Sequence, residues 1–317
     1  MTQLYQILKR NIHYLVLVTL LIAMSLVLFI REEQELIIIS KDYMYSIYHS
    51  DNYETIEIEL LTNNKENYHF EKDYIIASTI YNQNQELSVT ITNITTQNEP
   101  ISFLNQEFNQ VMIELELPFV SNDYLVEIED AYLEIIYDNN ESITISIGEI
   151  NYLFLDNYGR DISVNNLSAT HEEYLLVNTI GGVNIELGNL SDHNINITNI
   201  DILSNSIHIN NNYIKEQVAC EYTSTVHDCL DTEFNVFNAP LLEEEVNILL
   251  SKNNSINLYL PLTYSDKYHY IYEFALIIDY EINGIQSQTI IDDFPYMSTS
   301  IFNTLSEDDI NVYFIQN

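Results

Sequence analysis

Glycine and proline, on which many enzyme motifs depend, are scarce in this sequence. Only six of the 317 residues are glycine and five are proline. The glycines are too widely spaced to form a GxGxxG motif, a P-loop or a GxSxG nucleophile elbow, and no HExxH zinc motif occurs. The paired carboxylates of a glycosidase can be drawn from many acids, so no particular pair is indicated. We therefore expect a protein that is not an enzyme and uses no cofactor or metal.

Basic residues are the second shortage. Lysine and arginine number 10 against 48 aspartate and glutamate residues, which gives a formal net charge of −38. A surface of this sign repels phosphate groups, so we expect no nucleic-acid partner. Isoleucine and asparagine share AT-rich codons with lysine and are abundant, so codon bias does not explain the lack of lysine. The acidity predicts a halophilic protein, because the Debye length falls to about 3 Å at 1 M salt and screens self-repulsion.

One long run of the sequence carries no charge at all. Residues 12–30 read IHYLVLVTLLIAMSLVLFI, and a helix of this length spans about 28 Å, close to the hydrocarbon thickness of a bilayer. Lys9 and Arg10 precede it, which predicts a cytoplasmic N-terminus, a single-pass anchor in membrane lipid and an extracellular remainder. A cleaved signal peptide is the alternative, but it normally has a shorter apolar region. If the anchor is trimmed, we expect processing near Arg10 and Asn11.

The residues after the membrane segment alternate between apolar and polar side chains. Segments such as ETIEIEL (54–60) and SITISI (142–147) have the period-two pattern of half-buried strands. The clearest hairpin is predicted over 270–291, where Asn283-Gly284 suits a type I′ turn. A second turn is predicted at 138–140. The segment after the anchor is ambiguous between a helical extension and a strand.

Two parts of the sequence resemble each other. IELELP, which ends at Pro118, matches INLYLP, which ends at Pro261, and similar hairpins follow both. Upstream, SVTITNI (88–94) resembles NINITNI (194–200) at a shorter offset, which predicts an insertion in the second copy within about 201–245. A duplicated unit of short strands is typical of tandem sandwiches rather than of one large barrel.

These patterns predict a mostly β protein with one N-terminal transmembrane helix and two tandem immunoglobulin-like β-sandwich domains. The predicted organisation is a cytoplasmic N-terminus (1–11), the transmembrane helix (12–30), a juxtamembrane segment (31–50), a first sandwich (51–160) and a second sandwich (161–317) that contains the cysteine-bearing insertion.

The chain has two cysteines, Cys220 and Cys229. Two cysteines in an exported chain favour a disulfide, and closing so short a loop contributes about 2.5–3 kcal/mol in the chain-entropy model. A metal site that adds His208 and His227 is the alternative, but its cysteine spacing matches known zinc sites poorly.

The sequence also contains acceptors for N-linked glycans. They have the N-x-S/T pattern and are Asn93, Asn140, Asn166, Asn189, Asn196 and Asn253.

The order of features is informative as a whole. A short basic N-terminus and the apolar helix precede a β-rich region that contains VNTIGGVNIEL (177–187), LYLPL (258–262) and FALIIDYEI (274–282). This arrangement resembles archaeal type IV pilin-like and archaellin-like surface proteins. The resemblance implies that the helix first anchors the subunit and later packs in a filament core, while the β-domain faces outward.

Together, these observations predict a non-enzymatic, membrane-anchored cell-surface protein. It would be a pilin-like subunit or an adhesion and assembly component that forms homo- or hetero-oligomers with other surface or filament subunits. The alternative is an extracytoplasmic ectodomain that binds a ligand or cations, for example at acidic runs such as 243–245.

Overall fold

A computed structural model gives the fold of the chain. It describes residues 35–49, 54–97, 99–103, 106–119, 124–154, 159–174, 177–216, 226–230, 232, 234–237, 239, 246–265, 270–273, 275–291 and 310–315. The predicted transmembrane helix and the processing site at Arg10 and Asn11 lie outside these residues. Among the described residues, no helix is long and apolar enough to cross a membrane.

The described chain is mostly β-strand, which confirms the predicted class. The strands up to residue 154 are β1 (Leu36–Ser40), β2 (Tyr43–His49), β3 (Thr55–Thr62), β4 (Ile75–Tyr81), β5 (Glu86–Thr96), β6 (Ile101–Phe103), β7 (Gln106–Glu116), β8 (Tyr124–Tyr137) and β9 (Ser142–Phe154). Two short 3-10 helices, Tyr68–Phe70 and Lys72–Tyr74, connect β3 to β4.

The described residues of the later part of the chain form further strands, a short 3-10 helix and a short α-helix. They are β10 (Ile162–Tyr174), β11 (Val177–Asn189), β12 (Ile195–Ile202), β13 (Ile207–Ile209), a 3-10 helix (Asn211–Tyr213), β14 (Lys215–Glu216), α1 (Val226–Leu230), β15 (Ile248–Leu250), β16 (Ser255–Tyr264), β17 (Tyr270–Glu273), β18 (Leu276–Ile282), β19 (Ile285–Ile291) and β20 (Asn311–Ile315).

The first unit is one sheet that folds around a single core. Its strand order is β17-β2-β9-β8-β4-β5-β7-β3-β1-β20, with β6 beside β7. The fold occurs within β5, because Glu86–Val89 pairs with β4 whereas Thr90–Thr96 pairs with β7. Apolar side chains from both halves, including Ile58, Ile113 and Leu133, form one buried cluster.

The second unit is a sandwich of two separate sheets. One has the order β10-β11-β16-β13, with β14 also beside β16, and the other has the order β15-β12-β18-β19. Alternate residues of β11 and β12, such as Ile185 and Ile197, are buried between the sheets. The alternation predicted from the sequence therefore produces this core.

The strand order in both units is that of an immunoglobulin-like sandwich. In that fold, strands A, B, E and D form one sheet and G, F and C form the other. In the first unit, β1-β3-β7-β5 and β9-β8-β4 occupy these positions; in the second, β10-β11-β16-β13 and β19-β18-β12 occupy them.

The strand positions correct part of the predicted repeat. β7 and β16 occupy the same E position, as the match of Pro118 with Pro261 predicts. The match of 88–94 with 194–200 is wrong as a structural equivalence, because β5 joins the two halves of its sheet whereas β12 lies beside the last hairpin. The position of β12 in the first unit is taken by β4. Short Ile-Asn-Thr strands resemble one another by composition, which explains the mismatch.

The two predicted hairpins are present, with one change. Asn283 and Gly284 both have positive φ, of 52° and 82°, as a type I′ turn requires, and Asn140 has φ 66° in the earlier turn. The first strand of the later hairpin is shorter than predicted. Residues 270–273 form β17, which pairs in parallel with β2 rather than with β19.

The ends of the described chain also differ from the predicted boundaries. The segment predicted as juxtamembrane contains β1 and β2, and both belong to the first unit. β20, predicted within the second sandwich, pairs antiparallel with β1, with Leu36 opposite Ile315. A linear pattern does not reveal such long-range pairing, because each strand looks the same whichever sheet it joins.

Candidate interaction edge

The edge of the first unit beside β9 is closed by another strand. β2 pairs in parallel with β9 from Tyr43–Gly148 to His49–Phe154, and β17 then pairs in parallel with β2. Gly148 permits this contact, because its φ is 102° and a Cβ there would lie 2.1 Å from the Tyr43 carbonyl oxygen. The close approach of the two backbones therefore depends on glycine at this position.

The corresponding edge of the second unit has no partner strand among the described residues, and we call it the open edge; one backbone hydrogen bond, from Gly159, reaches it. β19 pairs with β18, and within the described part of the chain no strand pairs with its other side. The Gly159 N–H donates to the Gln288 carbonyl oxygen at 2.7 Å, so the backbone of Gln288 faces away from β18. Because alternate residues of an antiparallel strand face the same way, Gln286 and Ile290 also direct their backbone groups outward.

A groove separates β19 from β10, the edge strand of the facing sheet. Its volume is about 440 Å³. Both apolar and polar side chains line it: Ile162, Val164, Leu167, Ile290 and Ile291, with Asn165, Asn166 and Thr289. In the first unit β2 pairs with β9, the strand that corresponds to β19, whereas in the second unit a groove lies beside β19.

The open edge lacks the charges that usually protect edge strands. β19 reads IQSQTII, and the first eight residues of β10 read ISVNNLSA. Neither stretch contains a charged residue, although the chain carries a net charge of −38. Ile285 is 72% exposed. Natural proteins commonly protect edge strands with lysine, proline or bulges, so an uncharged edge is suited to pairing with another strand.

A second group of side chains surrounds His69, between the β3–β4 connection and the β8–β9 turn. The Tyr68 hydroxyl bonds to the Glu141 carboxylate, and the His69 Nε2 atom lies 3.9 Å from the same carboxylate. The Tyr137 hydroxyl donates to the His69 carbonyl oxygen at 3.1 Å. These contacts connect the loops at one end of the first unit.

The environment of this group shifts its pKa values in a direction that favours neutral rings. Burial lowers the pKa of His69 below its ordinary value of 6.5, and Glu141 opposes this only in part. Burial also raises the pKa of Tyr137. The hydrogen bond from Tyr68 lowers the pKa of Glu141. His69 Nδ1 lies 2.6 Å from the Asn67 side-chain oxygen, so the group is a structural connection between loops.

A polar cavity of about 680 Å³ lies beside the β4–β5 turn. Its lining includes Asn82, Asn84, Glu129, Asp130 and Tyr132. Asp130 has a positive φ of 49°, at an irregularity in the pairing of β8 with β9. Carboxylate, amide and aromatic groups in one concave surface are suited to a small polar ligand.

The described residues of the alternative metal site have other contacts. His208 Nδ1 lies 3.7 Å from the Asp201 carboxylate, whereas His227 Nδ1 lies 2.9 Å from the Thr232 carbonyl oxygen. Cys229 is buried in α1. Cys220 lies outside the described residues, so the disulfide stays a prediction. Among the described residues, no group of three or more His, Cys, Asp or Glu side chains could hold a metal ion.

The glycan acceptors differ in their exposure. Asn93, Asn140, Asn166 and Asn253 are exposed and Asn196 is half-buried. Asn189 is 6% exposed, and its side-chain nitrogen donates to the carbonyl oxygens of His193 and Leu250. Asn189 is therefore an interior residue that fixes a loop, and a glycan could not be attached to it in the folded unit.

Comparisons with known proteins add little to this description. No protein-family model and no curated protein matches the chain. Among solved structures, the D00-D0 domain of intimin aligns with 89% of this chain and 100% of its own, at 8% identity and a TM-score of 0.17. A marsupial T cell receptor aligns with 82% of this chain and 95% of its own, at 9% identity and a TM-score of 0.20. At such scores the fold assignment depends on the strand order alone.

Sequence reasoning missed the open edge, although part of its signal is in the sequence. The uncharged strand IQSQTII was recognised as half of a hairpin. Its position at the rim of the sandwich follows only from the pairing of β2 with β9 in the first unit and the absence of an equivalent among the described strands of the second.

Proposed function

We propose that this chain is a non-enzymatic, membrane-anchored cell-surface protein, a pilin-like subunit or adhesion component that assembles with other copies of itself through β19. The observation that carries the proposal is the uncharged groove between β10 and β19, beside a last strand that no described strand covers. The apolar segment 12–30 would anchor the chain in the membrane.

The net charge of the chain favours a second copy of the same chain as the partner that binds at the groove beside β19. Two chains of net charge −38 repel each other over most of their surfaces. Repulsion between two copies is weakest at an uncharged edge. Outward backbone groups, such as those of Gln286, can form hydrogen bonds with an incoming strand of any sequence. High salt would screen the remaining repulsion.

Intact mass and electron microscopy of the isolated cell surface test this proposal. We expect the protein in ordered assemblies. A mass that begins near Asn11 or Ile12 would support the filament form, in which the apolar helix packs in the core. An intact Met1 with every copy dispersed as a monomer in the membrane would contradict assembly.

The polar cavity beside the β4–β5 turn favours a second function, the binding of a small ligand such as a sugar. Tyr132 and Asn82 supply a ring and an amide there, and Glu129 supplies a carboxylate. Calcium or sugar that co-purifies with the full chain and is lost in Glu129→Ala would support it. A purified chain that binds neither would exclude these ligands.

A further inference from the structure

A buried carboxylate lies where the two units meet. Glu149, in β9 of the first unit, has no exposed surface. Its Oε1 atom accepts hydrogen bonds from the Ser204 hydroxyl at 2.9 Å and from the Asn205 backbone N–H at 2.8 Å, and both donors belong to the second unit. Glu149 therefore connects the two units through hydrogen bonds to one of its side-chain oxygens.

The hydrogen-bond donors around Glu149 all bond to one of its two carboxylate oxygens, Oε1. A third donor, the side-chain nitrogen of Asn151, also bonds to Oε1. Oε2 is buried and receives no hydrogen bond, and the same is true of the side-chain oxygen of Asn151. Asn151 has no exposed surface either. Because residues two apart on a strand share a face, these two acceptor oxygens lie on the same side of β9.

Two buried acceptor oxygens without donors are unfavourable unless something occupies the site. Leaving such an oxygen unsatisfied carries a desolvation penalty, which is larger for a charged group. In the described part of the chain, no lysine or arginine forms an ion pair with Glu149. His208 interacts mainly with Asp201, whose hydrogen bond is the largest cause of the raised pKa of His208, and Glu149 adds a smaller contribution. A water molecule could donate hydrogen bonds to both oxygens, whereas a cation would in addition offset the charge of a carboxylate.

We propose that Glu149 Oε2 and the side-chain oxygen of Asn151 bind a small, hard cation that joins the two units. Oxygen ligands from a carboxylate and an amide are those that Na⁺ and Ca²⁺ prefer. The site is separate from the open edge of β19, so it does not depend on the function proposed above. Its effect would be on the stability of the junction rather than on assembly.

Thermal unfolding of the full chain in detergent, at constant ionic strength, tests the site. The salts are NaCl, NaCl with CaCl₂, and tetramethylammonium chloride, whose cation is too large to enter a buried site. We expect Na⁺ or Ca²⁺ to raise the Tm by about 3 °C over tetramethylammonium. The two salts that contain small cations distinguish a monovalent from a divalent ion. Equal Tm values in all three salts would overturn the proposal and leave buried water as the occupant.

Three variants make the test specific. Glu149→Gln keeps an acceptor at Oε1 but removes the charge, so the cation-dependent shift in Tm should disappear. Glu57→Gln, at an exposed strand position, is the control and should keep the shift. Asn151→Asp adds a second carboxylate and should enlarge the Ca²⁺-dependent shift, which guards against a loss that reflects misfolding alone. A shift that persists in Glu149→Gln would contradict the assignment.

Discussion

The two units share one strand order but differ at the edge beside their last strand. In the first unit β2 lies against β9 and β17 lies against β2, so the sheet continues. In the second unit, no described strand pairs with the outer side of β19, where the Gly159 N–H donates to Gln288. The comparison shows that one strand order can end in a last strand that is paired on both sides or on one side only. The first unit pairs its last strand on both sides with strands of the same chain, and in the second a groove lies beside it.

The largest expected effect is on the closed edge. Gly148→Ala places a Cβ against the Tyr43 backbone at a positive φ and should destabilise the chain by about 3–5 kcal/mol. Gly284→Ala is the matched control, because its φ is also positive but no atom lies within 4 Å of the added Cβ. The control should cost about 1 kcal/mol. Urea denaturation measures both, and equal losses would contradict the role of close backbone contact.

At the open edge, we expect substitution to affect assembly rather than stability. Gln286→Pro removes an outward N–H, so it should abolish assembly while changing stability by about 1 kcal/mol or less. Ser287→Pro is the control, since Ser287 is paired with Tyr280 and its inward N–H is part of the ladder. It should destabilise the hairpin by about 2–3 kcal/mol. Sedimentation and denaturation distinguish these results, and normal assembly of Gln286→Pro would exclude this edge as the contact.

The two units also differ in the direction in which the pKa of a histidine is shifted, for His69 in the first unit and His208 in the second. Burial lowers the pKa of His69 in the first unit, so its contribution to stability is complete above pH 6.5 and declines as the pH falls through that value. The hydrogen bond to Asp201 raises the pKa of His208 in the second unit, against the effect of burial. Its contribution is complete below pH 6.5 and is lost as the pH rises through the higher folded pKa.

NMR titration of the histidine rings should therefore give values on opposite sides of 6.5 for His69 and His208. Replacing each with glutamine should remove its part of the pH dependence of unfolding, with opposite signs. Parallel changes in the two variants would contradict the two environments.

The smallest expected effect concerns glycan occupancy. Asn166 lines the groove, so a glycan there would obstruct an incoming strand, whereas Asn253 is exposed in a turn. In a host that glycosylates exported proteins, glycopeptide mass spectrometry of assembled material should find Asn166 unmodified and Asn253 available. A glycan on Asn166 in assembled protein would argue against occupation of the groove.

The sequence predicted the local structure of this chain better than its long-range pairing. Alternation identified strands such as β9 and β16, and Asn283-Gly284 fixed a turn through its positive φ values. The pairing of β20 with β1 was not predictable, because strand propensity carries no information about the partner. Glu149 was also missed, since one acid among 48 has no local signature and its burial depends on contacts with residues 204 and 205.

Amide hydrogen exchange at Gln286, compared between isolated and assembled protein, tests the central claim most directly. The account predicts rapid exchange at Gln286 in the isolated chain and protection after assembly, while amides of β9 stay protected in both states. Rapid exchange at Gln286 in the assembled protein would contradict the claim that β19 is the edge through which the chains pair.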